Sequence, residues 1–187
     1  MGLTYFDAII SRFGENEFSV KDLTNLTGNS RSSKLLSEMK MRGIVERIGR
    51  GKYRVLSISE RSDRRLIEWE RIRMLIIKAP WKKAWAGSTA VEIWTDGKYK
   101  VSPNLYLKVF HLLINKSELE EWKRYLTRFG VSFSGKKRVG ACVVLESSPN
   151  VDLVTVAGEP VIPKDDVLRL IRSHPGLYAG AEDLIEY

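Results

Sequence analysis

Glutamine does not occur in this sequence of 187 residues, cysteine occurs once and histidine twice. A single thiol, Cys142, excludes an internal disulfide, and two histidines with one cysteine exclude a Cys/His zinc cluster. No apolar run reaches the roughly 20 residues that cross a bilayer. The longest candidates, Leu105–Ile114 and Arg73–Ala79, are broken by Lys108, His111 and Lys78. Met1–Phe13 carries Asp7 and lacks a basic segment followed by an apolar one, so the sequence predicts no signal peptide, no membrane partner and a cytoplasmic location. Missing glutamine beside abundant ionic side chains is a usage typical of thermophiles.

What is present is positive charge. Lysine and arginine number 31 against 23 acidic residues, a net +8. Residues 1–58 hold 10 basic and 6 acidic side chains, so half of the surplus lies in the first third of the chain. Such a surplus favours an anionic partner, most often nucleic acid.

Three sections follow from the patterning, and together they predict an α+β protein. In residues 1–58, Leu3, Phe6, Ile9, Ile10 and Phe13 recur at helical spacing until Gly14. A short segment, Glu17–Ser19, leads into a helix over Ser19–Thr27, with Ser19 and Asp22 at capping-box spacing and Val20, Leu23 and Leu26 as its stripe. Gly28-Asn29 is a turn. Ser30 caps a third helix to Arg42 whose Leu35, Leu36 and Met39 face inward, and Gly43 ends it. Strands at Ile44–Ile48 and Tyr53–Leu56 are joined by Gly49-Arg50-Gly51-Lys52.

Residues 59–79 read as a connecting helix, Ser62–Lys78, capped by Ser62 or Asp63. Its apolar residues, Leu66, Ile67, Trp69, Ile72, Met74, Leu75, Ile76 and Ile77, cover so much of its surface that burial on more than one side is expected. Packing between domains or a homodimer interface would supply that burial. Residues 80–187 read as a mixed α/β domain. Strands are expected at Leu105–Asn115, Val131–Phe133, Val139–Glu146 and Val151–Val156. Helices are expected from a Ser117–Glu120 capping box to Phe129, over Lys164–Ser173 after Pro163, and over Ala181–Glu186.

The order of elements in the first section, with the run from Ser30 to Arg54, resembles a winged helix-turn-helix domain. The carrying features are a small-polar helix start, inward leucines, Gly43-Ile44, and the Gly-x-Gly-x-Tyr wing that ends at Tyr53. The resemblance implies a sequence-specific transcriptional regulator of double-stranded DNA. Arg31, Ser32, Ser33, Lys34, Ser37 and Lys40 would sit on the recognition helix, with Arg50, Lys52 and Arg54 on the wing. Tyr53 is read as an anchor of the wing.

In the third section, Trp85-Ala-Gly-Ser-Thr-Ala90 resembles the Gly-Ser segment that opens the nucleotidyltransferase fold. Active members carry an Asp-x-Asp pair for two Mg²⁺ ions on a following strand. Here Asn104 and Tyr106 occupy those places, with Asp152 a lone third carboxylate, so no metal, cofactor or catalysis is expected. The combination resembles AbiEi-type antitoxins of type IV toxin–antitoxin systems and related archaeal regulators, which implies self-repression and a toxin protein as partner. The alternative is a nucleotidyltransferase-fold enzyme, or an antitoxin acting only through protein contact.

Other constellations carry less. His111 and His174 have no acid or nucleophile at a recognisable spacing, and Cys142 sits in an apolar strand. Trp81 and Trp85, flanking Lys82-Lys83, could form a stacking surface for a base.

Overall fold

The computed structural model describes residues 5–28, 32–100, 107–133 and 140–186. The chain divides into two compact units, Met1–Arg71 and Ile72–Tyr187. Both helices and sheets occur in each, and the class is α+β.

In the first unit, α1 (Tyr5–Phe13), β1 (Glu17–Ser19), α2 (Val20–Thr27), α3 (Ser32–Met41), β2 (Val45–Gly49) and β3 (Lys52–Val55) follow the expected order. The strands form an antiparallel sheet in the order β1-β3-β2. Ile9, Phe18, Leu23, Leu36, Met39, Ile44, Val45 and Val55 are its buried core. Phe18 binds the small strand to the helices: its ring stacks on Phe13 at 4.5 Å, and its Cα faces Tyr53 across the sheet. The capping box of α2 is complete, with Asp22 N–H donating to Ser19 Oγ at 3.2 Å and Ser19 N–H donating to Asp22 Oδ2 at 2.7 Å. Leu26, expected on the inward stripe, is 39% exposed. Gly28 ends α2 with φ +61°, whereas Leu3, Asn29 of the expected turn and Ser30, the expected cap of the third helix, lie outside the described residues.

The following helix, α4 (Ile58–Lys78), begins a full turn before the expected Ser62. Its cap is Ser57: Glu60 N–H donates to Ser57 Oγ at 3.2 Å while Ser57 N–H donates to Glu60 Oε2 at 2.8 Å. Within one chain the apolar surface of α4 is only partly covered. Leu66 is 57% and Ile67 69% exposed, Met74 is exposed as well, and only Ile72 and Ile76 are buried. The division between the units falls inside α4, between Arg71 and Ile72.

Four alternating charges join α4 to the hairpin. Glu46 of β2 pairs with both Arg54 and Arg64, and Arg54 reaches Glu60 at 2.6 Å. The Arg54 guanidinium, helped by the Ser57 N–H, holds the Glu60 carboxyl well below its ordinary 4.5, at about 2. A carboxylate depressed on folding stabilises the native state above its ordinary value and loses that contribution as pH falls through the folded one. The first unit should therefore lose stability between pH 4.5 and about 2. In an acid titration followed by circular dichroism, Glu60→Gln should be less stable at neutral pH and less sensitive across that window. Parallel curves for the two proteins would show that this carboxylate contributes nothing.

The second unit is built on a mixed five-stranded sheet in the order β6-β5-β4-β8-β7, made of β4 (Lys83–Trp85), β5 (Leu107–Asn115), β6 (Gly140–Ser148), β7 (Val154–Val156) and β8 (Glu159–Val161). β5 and β6 run parallel over nine residue pairs, from Leu107 opposite Gly140 to Asn115 opposite Ser148. β4 lies antiparallel to β5 and parallel to β8. The helices are α5 (Gly87–Trp94), α6 (Leu119–Arg128), α7 (Lys164–Ser173) and α8 (Ala181–Glu186).

The last two helices have the expected bounds. β4, α5 and β8 were not expected, and Val131–Phe133 contributes only a bridge from Ser132 to Cys142. The turn before α6 is capped by Asn115, whose Oδ1 accepts from Ser117 N–H at 3.0 Å, rather than by Ser117. Trp85 is 1% exposed, and its indole N–H donates to the buried Glu159 at 2.7 Å. Arg73 pairs with the same carboxylate, so the buried charge is matched.

Candidate nucleic-acid interface

Helix α3 is held by Leu36 and Met39, both buried, with Leu35 packed against the same core. That anchoring turns Ser33, Lys34, Ser37 and Lys40 outward, and all four are exposed. Two further residues expected on this helix do not join them. Ser32 is 1% exposed, with its Oγ 3.5 Å from Thr27 Oγ1 on α2, so it ties the two helices instead of facing solvent. Arg31 lies outside the described residues.

The hairpin differs from the sequence reading at one cation. Arg54 is engaged by Glu46 and Glu60, and its guanidinium is a brace within the unit. On an antiparallel strand successive side chains alternate faces; Arg54 therefore points away from the face of Tyr53, toward Glu46, its Cα partner on β2. At the tip, Gly51 with φ +73° closes the turn, and Arg50 is exposed with no ion pair among the described residues. Lys52 is also exposed but bonds Glu17 at 3.0 Å. An exposed pair of this kind contributes about 0–1 kcal/mol, so a phosphate can displace it at small cost.

Sequence reasoning passed over Arg47. It shares the inward-facing side of β2 with buried Val45, opposite Tyr53, but lies past the edge of the core and is exposed. There it lines a hollow with Ser33, Leu36, Ser37 and Lys40 of α3, Val20, and Tyr53. The alternation Val45-Glu46-Arg47 carried the signal, since a cation on the core side of an edge strand must emerge somewhere.

In the second unit, Gly87-Ser88 opens α5 directly after β4. Gly87 has φ +49°, and a Cβ built there would lie 2.6 Å from the His111 ring. His111 does have an acidic neighbour: Glu146 of β6 approaches its Nδ1 to 3.1 Å. His174 caps the end of α7, with Nδ1 2.8 Å from Ser173 Oγ. Asp152 is exposed, whereas Asn104 and Tyr106 lie outside the described residues. Trp85, buried against Glu159, offers no stacking surface. Among the described residues no group of three or more His, Cys, Asp or Glu side chains could hold a metal ion, and no helix is long and apolar enough to cross a membrane.

No protein-family model matches this chain, and no curated protein matches it.

Proposed function

We propose that the first unit is a winged helix-turn-helix module that binds double-stranded DNA, and that the protein is a sequence-specific transcriptional regulator. The observation that carries this reading is the exposed polar and cationic face of α3, Ser33, Lys34, Ser37 and Lys40, together with the uncompensated Arg50 at a glycine-flanked hairpin tip. A helix that offers short hydroxyls and amines while its other face is buried can enter a major groove. A glycine-flanked cation can approach a sugar-phosphate backbone. The second unit is proposed as a nucleotidyltransferase-like domain without catalysis, in keeping with an autoregulating antitoxin whose partner is a toxin protein.

The test is a binding titration at several salt concentrations on a duplex selected from genomic fragments. Lys34→Ala should cost about 1–3 kcal/mol on that duplex and much less on random DNA. Arg50→Ala should lower the salt dependence of log K by about 0.9, because one phosphate contact and its released counterion are lost. Lys52→Ala should lower it less, since Lys52 already neutralises Glu17. Equal affinity and equal slope for the wild type and all three variants would make the first unit a protein-docking module instead.

A further inference from the structure

We propose that the hollow between α3 and the β2–β3 hairpin is a phosphate-binding site. A backbone phosphodiester fills it when duplex DNA is bound, and a free phosphate can fill it otherwise. The duplex half of this proposal rests on the reading above; the free-phosphate half does not.

The lining is one-sided in charge. Lys40 and Arg47 supply two cations, Ser33, Ser37 and Tyr53 supply three hydroxyls, and among the described residues no carboxylate lines the hollow. Positions 33, 37 and 40 follow the spacing that places side chains on one helical face. The nearest acid in sequence on α3, Glu38, is taken by Arg42 at 2.5 Å. Lys40 has no ion pair among the described residues.

Arg47 is preorganised. Its Nε–H donates to the Gly49 carbonyl at 2.9 Å, which fixes the guanidinium plane and leaves both terminal amino groups for an incoming oxygen pair. A planar fork held in this way suits two phosphate oxygens, and loses little rotamer freedom on binding. Serine and tyrosine hydroxyls then donate to the remaining oxygens. Tyr53, whose Cα faces Arg47 across the hairpin, joins the site to the core through Phe18, 6.2 Å from its ring. Between them, Val20 and Leu36 form an apolar floor that carries no competing acceptor.

Two measurements on the full chain test this. In the first, duplex binding is titrated across salt concentrations for wild type, Arg47→Ala, Arg47→Lys and Lys34→Ala. Arg47→Ala should bind every duplex about tenfold more weakly and lower the salt slope by about 0.9. Arg47→Lys should keep the slope but recover only part of the affinity, because the charge remains while the fork is lost. In the second, thermal melting is followed in sodium phosphate and in sodium chloride of matched ionic strength. Phosphate should raise the melting temperature of wild type in a concentration-dependent way, and should not raise that of Arg47→Ala/Lys40→Ala.

If Lys34→Ala weakens duplex binding while Arg47→Ala does not, and phosphate gives no shift beyond chloride, the hollow is not a phosphate site although DNA binding stands. If no variant affects the duplex but phosphate still stabilises wild type alone, the site binds free phosphate and the DNA reading falls. Both Arg47 variants should melt within a few degrees of wild type in chloride, since the side chain is exposed.

Discussion

Trp122→Ala is expected to destabilise the second unit by about 3–5 kcal/mol, the range for truncating a fully buried aromatic side chain. Trp122 is 0% exposed on α6, with its ring 5.4 Å from Trp81 and 6.1 Å from Tyr125. The loss combines the transfer of a large apolar group with the cavity left among those rings. Its indole N–H, by contrast, is buried without a hydrogen-bond partner among the described residues. Trp122→Phe removes that orphaned donor while keeping most of the ring, so it should cost far less than Trp122→Ala. Urea denaturation followed by circular dichroism measures both. Equal losses for Phe and Ala would mean that the indole nitrogen has a partner and that packing is not what this residue supplies.

Gly87→Ala should also be strongly damaging, although it adds one methyl group. Two separate costs coincide there. A positive φ in an L-residue costs about 1–2 kcal/mol, and overpacking against the His111 ring costs about 1–3 kcal/mol more. The contact is with side-chain atoms of His111 at 2.6–2.9 Å, inside any relaxed carbon separation. A double-mutant cycle with His111→Ala separates the terms. The second substitution should relieve the part of the overpacking that comes from the ring, while the contact with the His111 Cβ at 2.9 Å and the backbone share remain. Unchanged melting of Gly87→Ala would show that α5 opens with another geometry. No relief from His111→Ala would move the cost onto the backbone and the contact with the His111 Cβ.

How much was legible in the sequence depended on how local the cause was. Ser19 and Asp22 announced α2, because a capping box is complete within four residues. Pro163 fixed α7 in the same way. Ser57 and Glu60 make an equally good box, but Ser62 and Asp63 follow so closely that they offered a rival start. The Ser57 box is joined by the bond from Arg54 to Glu60, which connects a strand to a helix and is not visible in the local sequence. β4 and β8 are three residues each, too short to show alternation, and exist because the long β5 and the edge strand β7 need neighbours.

The same rule sorts the candidate site. Outward Lys34, Ser37 and Lys40 followed from the period of one helix. Ser32 was misread because its burial depends on Thr27 across a turn. Arg54 was misread because both of its acids come from other elements. His111 acquired Glu146 from 35 positions away, through strand pairing that no local pattern encodes.

The lone thiol offers an experimental handle. Cys142 is 0% exposed as the third residue of β6, paired to β5 and bridged to Ser132. An alkylating reagent can reach it only when that part of the sheet opens, so its labelling rate reports the opening equilibrium of the β5–β6 pairing. The native protein is otherwise silent to thiol chemistry. A cysteine introduced at the hairpin tip could therefore carry a fluorophore alone, in a chain that needs no background cysteine removed.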